Sequence, residues 1–358
     1  MKNYFKAYVS NTLAGSGNQS YFVSDNTIQT GRVFYKVFAG GKYNYSFMFT
    51  NVIDSTYADG AHSKANLRCK EWTIKSAKVM VADKDTKDLA NCEFKYEKTL
   101  TFNKKTEKTV AYEDVFHSDS IELECEKNDY ICLEIGFCGE QIPYFEELII
   151  PSFRLIDGKW VATKQTPLAC MVGCDRPVTK KIGFLGDSIT EGIGVPMNAY
   201  THWNAKIAEM TGEQYSYWNL GIGFGRAADA ASNGAWLNKA KQMDTVTICY
   251  GVNDLGRGYS PMEIKCNLET IVRILKDNKV RTILFTIPPF DYSEEIKAKW
   301  MEINNYIMNE LSKITEVYDV VPVWGDESPN EQRAIYGGHP NEEGCLKLAC
   351  NFLEKFTL

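Results

Sequence analysis

Histidine is scarce in this chain, with four among 358 residues, so each one is a candidate worth placing. No run of about 18 apolar residues occurs, which excludes a membrane-spanning helix of ordinary length. The first ten residues, Met1 to Ser10, lack the apolar core of a signal peptide. The chain is therefore expected to be cytoplasmic, or extracellular if a leader was trimmed from it. Basic runs are also missing. With 40 Lys and Arg against 46 Asp and Glu, neither a nucleic acid nor a membrane surface is an expected partner. Eleven cysteines are present without a Cys-x-x-Cys pair, an odd count that favours neither a disulfide framework nor a zinc site. Cys132, Cys249 and Cys345 fall in apolar segments and read as buried free thiols, which fits a reducing compartment. Internal repeats and low-complexity tracts are absent too.

What the chain has is two kinds of periodicity. From Arg32 to about Phe153 apolar residues alternate with period two: Tyr43, Tyr45, Phe47 and Phe49 in one run, Trp72, Ile74, Val79 and Val81 in another, Ile131, Leu133, Ile135 and Phe137 in a third. Short polar connections separate these runs, and no strong helical segment interrupts them. This half is expected to be an antiparallel β-sandwich of jelly-roll type. After Thr179 strands expected at about 182–186, 215–220, 245–250, 281–287 and 317–323 alternate with helical stretches near 198–211, 226–241, 261–277, 292–313 and 341–355. That alternation predicts an α/β fold, a parallel sheet flanked by helices with ligands bound beyond the carboxyl ends of its strands. The expected division is 1–165 for the sandwich, 166–179 for a linker and 180–358 for the α/β domain.

Four segments carry chemistry, and all fall at expected strand ends. Ile182 to Gly186 reads as a strand that meets Asp187 and Ser188 at a helix start, where the Ser188 amide and the helix dipole could face an oxyanion. This is not a Gly-x-Ser-x-Gly elbow, because Thr190 stands two residues after the serine. Alone, an Asp-Ser pair in this place is better explained by an ordinary helix N-cap, and the segments that follow reverse that reading. Asn219, Gly221, Gly223, Phe224 and Gly225 form a glycine-rich loop after the next strand. Asn253 follows Gly251 at the end of another. His339, in Gly338-His339-Pro340-Asn341, opens the last helix.

Taken together, Ser188, the glycine loop, Asn253 and His339 resemble the four blocks of the SGNH/GDSL hydrolase superfamily over about residues 180–357. The resemblance implies a nucleophilic Ser188, a basic His339 and an oxyanion hole made by the Ser188 amide, an amide at Gly223 to Gly225, and the Asn253 side chain. Two departures stand out. The family's aspartate three residues before the histidine is replaced by Tyr336, which implies a Ser-His dyad oriented by a backbone carbonyl, or a carboxylate from elsewhere such as Asp326, Glu327 or Glu331. In the glycine block, the usual donor position falls on Phe224, or on Gly225 if one residue is inserted.

A sandwich preceding such a domain resembles two-domain carbohydrate esterases of the family 2 type. The expected activity is hydrolysis of small acyl esters, O-acetyl groups on sugars above all, with a small-molecule or oligosaccharide ester as substrate and no metal or cofactor. A lipase, a thioesterase and a non-catalytic carbohydrate-binding protein are the alternatives. Asp187 is expected to support the turn through hydrogen bonds to backbone, or to be a simple turn former. His202 and Trp203 read as packing residues. The sandwich is either a substrate-binding module or a stabilising one that could pair copies of the chain into a homo-oligomer.

Overall fold

In the computed structural model, residues 3–15, 17–24, 27–55, 65–112, 115–325 and 338–358 are described. The chain divides into two compact units, Met1–Ile53 with Asn66–Val178, and Asp54–Ala65 with Thr179–Leu358.

The first unit is built on two antiparallel sheets. In one, Gly41–Thr50 pairs with Met171–Cys174, Val115–His117 and Ile121–Cys125, and Val9–Ser10 extends it beside Met171–Cys174. The other runs in the order Lys159–Ala162, Ser152–Ile156, Gln29–Lys36, Tyr130–Gly139, Trp72–Ala82, Tyr96–Thr99. Alternation sets the pleat: Phe34, Cys132 and Met80 lie in register on one face, Val33, Leu133 and Val79 on the other. Both faces are nonetheless buried, because Leu89, Cys92 and Phe94 from the connection after Trp72–Ala82 pack over the first of them. The expected linker 166–179 is partly a strand, since Met171–Cys174 is hydrogen-bonded into the first sheet.

In the second unit five strands lie parallel: β1 (Lys180–Gly186), β2 (Tyr215–Gly221), β3 (Thr245–Cys249), β4 (Arg281–Phe285) and β5 (Glu316–Tyr318), in the order β2-β1-β3-β4-β5. They are near-continuous apolar runs, as strands covered on both faces must be; Ile182, Phe184, Leu185, Val246, Ile248, Ile283 and Leu284 are all shielded from water. The helices are α1 (Ser188–Glu191), α2 (Trp203–Thr211), α3 (Ala227–Ala231), α4 (Ala235–Ala240), α5 (Val252–Gly256), α6 (Pro261–Asp277), α7 (Glu294–Asn309), α8 (Val321–Trp324) and α9 (Glu342–Lys355). Helix α6 illustrates the local logic. Ser260 and Glu263 form a reciprocal capping box around Pro261, and Ile264, Leu268, Ile271, Val272 and Leu275 make one buried stripe.

Three expected boundaries shift. The helix expected from 198 begins only at Trp203, because Asn198 and Tyr200 have left-handed backbone (φ 62 and 56). The helix expected at 226–241 breaks into α3 and α4 at Asn233 (φ 60) and Gly234. The strand expected at 317–323 ends at Tyr318, and Val321–Trp324 forms a helical turn with Pro322 in its first positions. Among the described residues, no helix is long and apolar enough to cross a membrane.

Candidate active site

The order β2-β1-β3 makes β1 the point from which the chain turns to either side, and the three strand ends are level: Gly186 is in register with Gly221 on one side and Cys249 on the other. Ser188, the glycine loop and Asn253 therefore emerge next to one another. At the corner Asp187 is extended (φ −94, ψ −152), and its carboxylate accepts the Ile189 amide at 3.0 Å. Ser188 follows as the first residue of α1, half-buried. Helix α1 is a single turn closed by Gly192 (φ 116), so the helix dipole expected here is reduced to the local amides themselves. With the Ile189 amide engaged by Asp187, the amide of Ser188 is the first donor of that turn beside its own hydroxyl.

His339 comes from the far end of the chain and meets this corner: its Nε2 lies 2.8 Å from Ser188 Oγ. The ring is 7% exposed, and Phe290 stands edge-on to it with centroids 5.3 Å apart. Two features hold the histidine loop. Asn341 caps α9 by accepting the Gly344 amide at 2.9 Å. Gly194 (φ 108) approaches so closely that an added Cβ would sit 2.5 Å from the Pro340 carbonyl and 3.0 Å from His339 Cβ. Tyr336, Asp326, Glu327 and Glu331, the positions that bear on a third triad member, lie outside the described residues.

In the glycine loop both glycine amides have partners. The Gly223 amide donates to Glu191 Oε2 at 2.8 Å, and the Gly225 amide to the Ile222 carbonyl at 3.0 Å. Both glycine donors expected for an oxyanion are thus engaged within the loop's own scaffold. The second of these bonds closes a turn whose third residue is Phe224, in the left-handed region at φ 60, a conformation that side chains other than glycine adopt rarely and at local expense. Asn253, on α5 after Gly251 (φ 119), donates from Nδ2 to the Gly225 carbonyl at 3.0 Å, which ties the side chain to the loop.

Beneath these groups lie two fully buried carboxyls. Burial, reinforced by the Asp254 charge, pushes Asp187 up to about 8 against the pull of the Ile189 hydrogen bond. Burial, with the Asp229 charge adding to it, likewise raises Asp254 to about 7 although it accepts the Ala227 amide at 3.1 Å. The Oδ2 of Asp187 has no hydrogen-bond partner among the described residues. His202 and Trp203 are buried, the Trp203 indole donating to the Ile189 carbonyl at 3.0 Å. Glu191 was not legible from the sequence as a loop anchor, since a glutamate one turn after the serine looks like any helical glutamate.

Beside Asn253 opens a cavity of about 730 Å³ lined by Phe224, Asn253, Arg257, Phe290, Asp291 and Tyr292, among others. The Arg257 guanidinium lies 5.9 Å from the Phe224 ring. Among the described residues, no group of three His, Cys, Asp or Glu side chains is placed to hold a metal ion.

Residues 184–345 match the model of the GDSL-like Lipase/Acylhydrolase family. This part of the chain is similar to that family. Solved structures that show similarity include the following three. A member of the lipolytic protein G-D-S-L family from Veillonella parvula DSM 2008 is 19% identical, with 49% of this chain and 97% of that chain covered at a TM-score of 0.43. The acetylxylan esterase Axe2 from Geobacillus stearothermophilus is 19% identical, with coverage of 51% and 96% and a TM-score of 0.40. The psychrotrophic esterase EstA from Pseudoalteromonas sp. is 16% identical, with coverage of 49% and 94% and a TM-score of 0.40. No curated protein matches the chain. The GDSL-like domain accounts for every motif residue named above, and the antiparallel unit before it lies outside the matched residues.

Proposed function

We propose that this chain is a serine esterase whose GDSL-like domain hydrolyses small acyl esters, O-acetyl groups on carbohydrates in particular. The observation that carries the reading is the 2.8 Å contact between Ser188 Oγ and His339 Nε2 at the carboxyl edge of the parallel sheet. His339 takes the hydroxyl proton as Ser188 attacks the ester carbonyl, then returns it to the leaving alcohol; a water repeats the sequence on the acyl-enzyme. The oxyanion of each tetrahedral intermediate is held by the Ser188 amide, the Asn253 side chain and the Phe224 amide. The last takes the place of the glycine donors because it occupies the family's donor position, while the Gly223 amide donates to Glu191 and the Gly225 amide to the Ile222 carbonyl. Each such donor stabilises the transition state by ~3 kcal/mol.

The cavity beside Asn253 supports a sugar as the alcohol portion. Phe224, Phe290 and Tyr292 offer aromatic surface for the apolar face of a pyranose, while Arg257 and Asp291 supply donors and acceptors suited to its hydroxyls. The test is a panel of p-nitrophenyl esters of graded chain length run beside acetylated xylo-oligosaccharides. Acetyl esters are expected to exceed octanoyl esters in kcat/KM by at least about tenfold. Equal or better turnover of long chains would move the activity to a lipase.

A further inference from the structure

Asp54 and Ser55 precede the first catalytic motif by more than a hundred residues, yet they belong to the second compact unit. Both are fully buried there. Ser55 donates its hydroxyl to Asp229 Oδ2 at 2.7 Å and accepts from Arg226 Nη2 at 3.3 Å. Arg226 in turn donates to the same carboxylate oxygen through its backbone amide at 3.1 Å and through Nε at 2.9 Å. Asp54 forms a second buried ion pair, its Oδ2 lying 2.8 Å from Lys239 Nζ. The two contacts grip α3 and α4, the helices that carry the chain away from the glycine loop.

Arg226 is the residue immediately after Gly225. Its backbone is fixed by Asp229, and the preceding carbonyl, that of Gly225, holds the Asn253 amide. A continuous set of bonds therefore runs from Ser55 through Asp229 and Arg226 to the loop and to Asn253. A buried Arg-Asp pair needs further hydrogen bonds to compensate its desolvation, and Ser55 bridges both charges from one hydroxyl. We propose that Ser55 is a positioning residue of this esterase, holding Arg226 so that the Phe224 amide and Asn253 are aligned on the oxyanion. The hydrolase unit is then completed by a segment drawn from the N-terminal part of the chain. The inference rests on the oxyanion site assigned under the proposed function.

Ser55→Ala removes one neutral hydroxyl and leaves the Arg226–Asp229 pair in place. In the full chain, kcat for p-nitrophenyl acetate should fall about five- to fiftyfold with KM within about twofold. The inhibition constant of a trifluoromethyl ketone, which adds to Ser188 as a tetrahedral oxyanion, should rise in parallel, while competitive inhibition by the free alcohol should not change. Ser55→Thr keeps the hydroxyl and should retain kcat within about threefold, and Ser55→Cys, of similar size but a poor hydrogen-bonding partner, should lose it as alanine does. Should the alanine variant fail to fold, the cysteine variant decides. Wild-type kcat in a folded alanine or cysteine variant, or a loss confined to the thermal midpoint, overturns the inference. An inactive wild-type chain, or an active Ser188→Ala chain, would instead overturn the proposed function itself.

Discussion

Replacing Asp187 by asparagine removes a carboxyl that burial has made reluctant to ionise. Its side chain is inaccessible to solvent, one oxygen accepts the Ile189 amide at 3.0 Å, and the other has no hydrogen-bond partner among the described residues. In the folded protein the group titrates at about 8, against 3.8 in an unperturbed aspartate. Between those values the folded state keeps a proton that the unfolded chain has released, so this carboxyl's contribution to stability is fully present below about pH 4 and declines as pH rises towards 8. The displacement corresponds to on the order of 5 kcal/mol across the window, or ~1.4 kcal/mol per pH unit. Asparagine preserves an oxygen for the Ile189 amide but has nothing to ionise. Denaturation midpoints for wild type and Asp187→Asn, followed from about pH 5 to about pH 8, should diverge, the variant gaining on the wild type with every step upward. Parallel curves, or a wild type that gains on the variant as pH rises, would refute the reasoning.

Asn253→Ala should lower kcat by ~10² with little change in KM, as for a donor that acts mainly on the tetrahedral intermediate; steady-state kinetics on p-nitrophenyl acetate check this, and an effect confined to KM would make Asn253 a ground-state contact. Single alanine variants of Asp326, Glu327 and Glu331 should leave kcat within a few fold if a backbone carbonyl orients His339, whereas loss of a true triad carboxylate lowers it on the order of 10⁴. A collapse in any one of the three identifies that carboxylate.

The parts of the candidate site readable in sequence are those where a single side chain is proposed to act. Ser188, Asn253 and His339 each follow an apolar strand or open a helix, and punctuation by glycine places them at strand ends before any contact is known. The antiparallel and parallel halves were likewise legible, because period two and the alternation of strands with helices are local properties. Backbone donors were not. Whether the loop presents the amide of Gly223, Phe224 or Gly225 depends on Glu191, whose carboxylate takes the first, and on the turn that takes the third. The apolar run Val320-Val321-Pro322-Val323 fits a strand as well as a buried turn, and only the structure distinguishes them. Ser55 and Asp54 were beyond reach entirely, since nothing local marks a serine whose partners are 171 and 174 residues away.

The central claim is that Ser188 attacks the ester with His339 as its base, and labelling with a fluorophosphonate tests it most directly. The wild-type chain should lose ester hydrolysis in step with uptake of one phosphonyl group, recovered by mass spectrometry on the peptide containing Ser188. Ser188→Ala should take up no label and retain on the order of 10⁻⁴ of the wild-type rate or less, at a nearly unchanged thermal midpoint. Label on another residue, or an alanine variant that still turns over ester at a rate approaching wild type, would contradict the account.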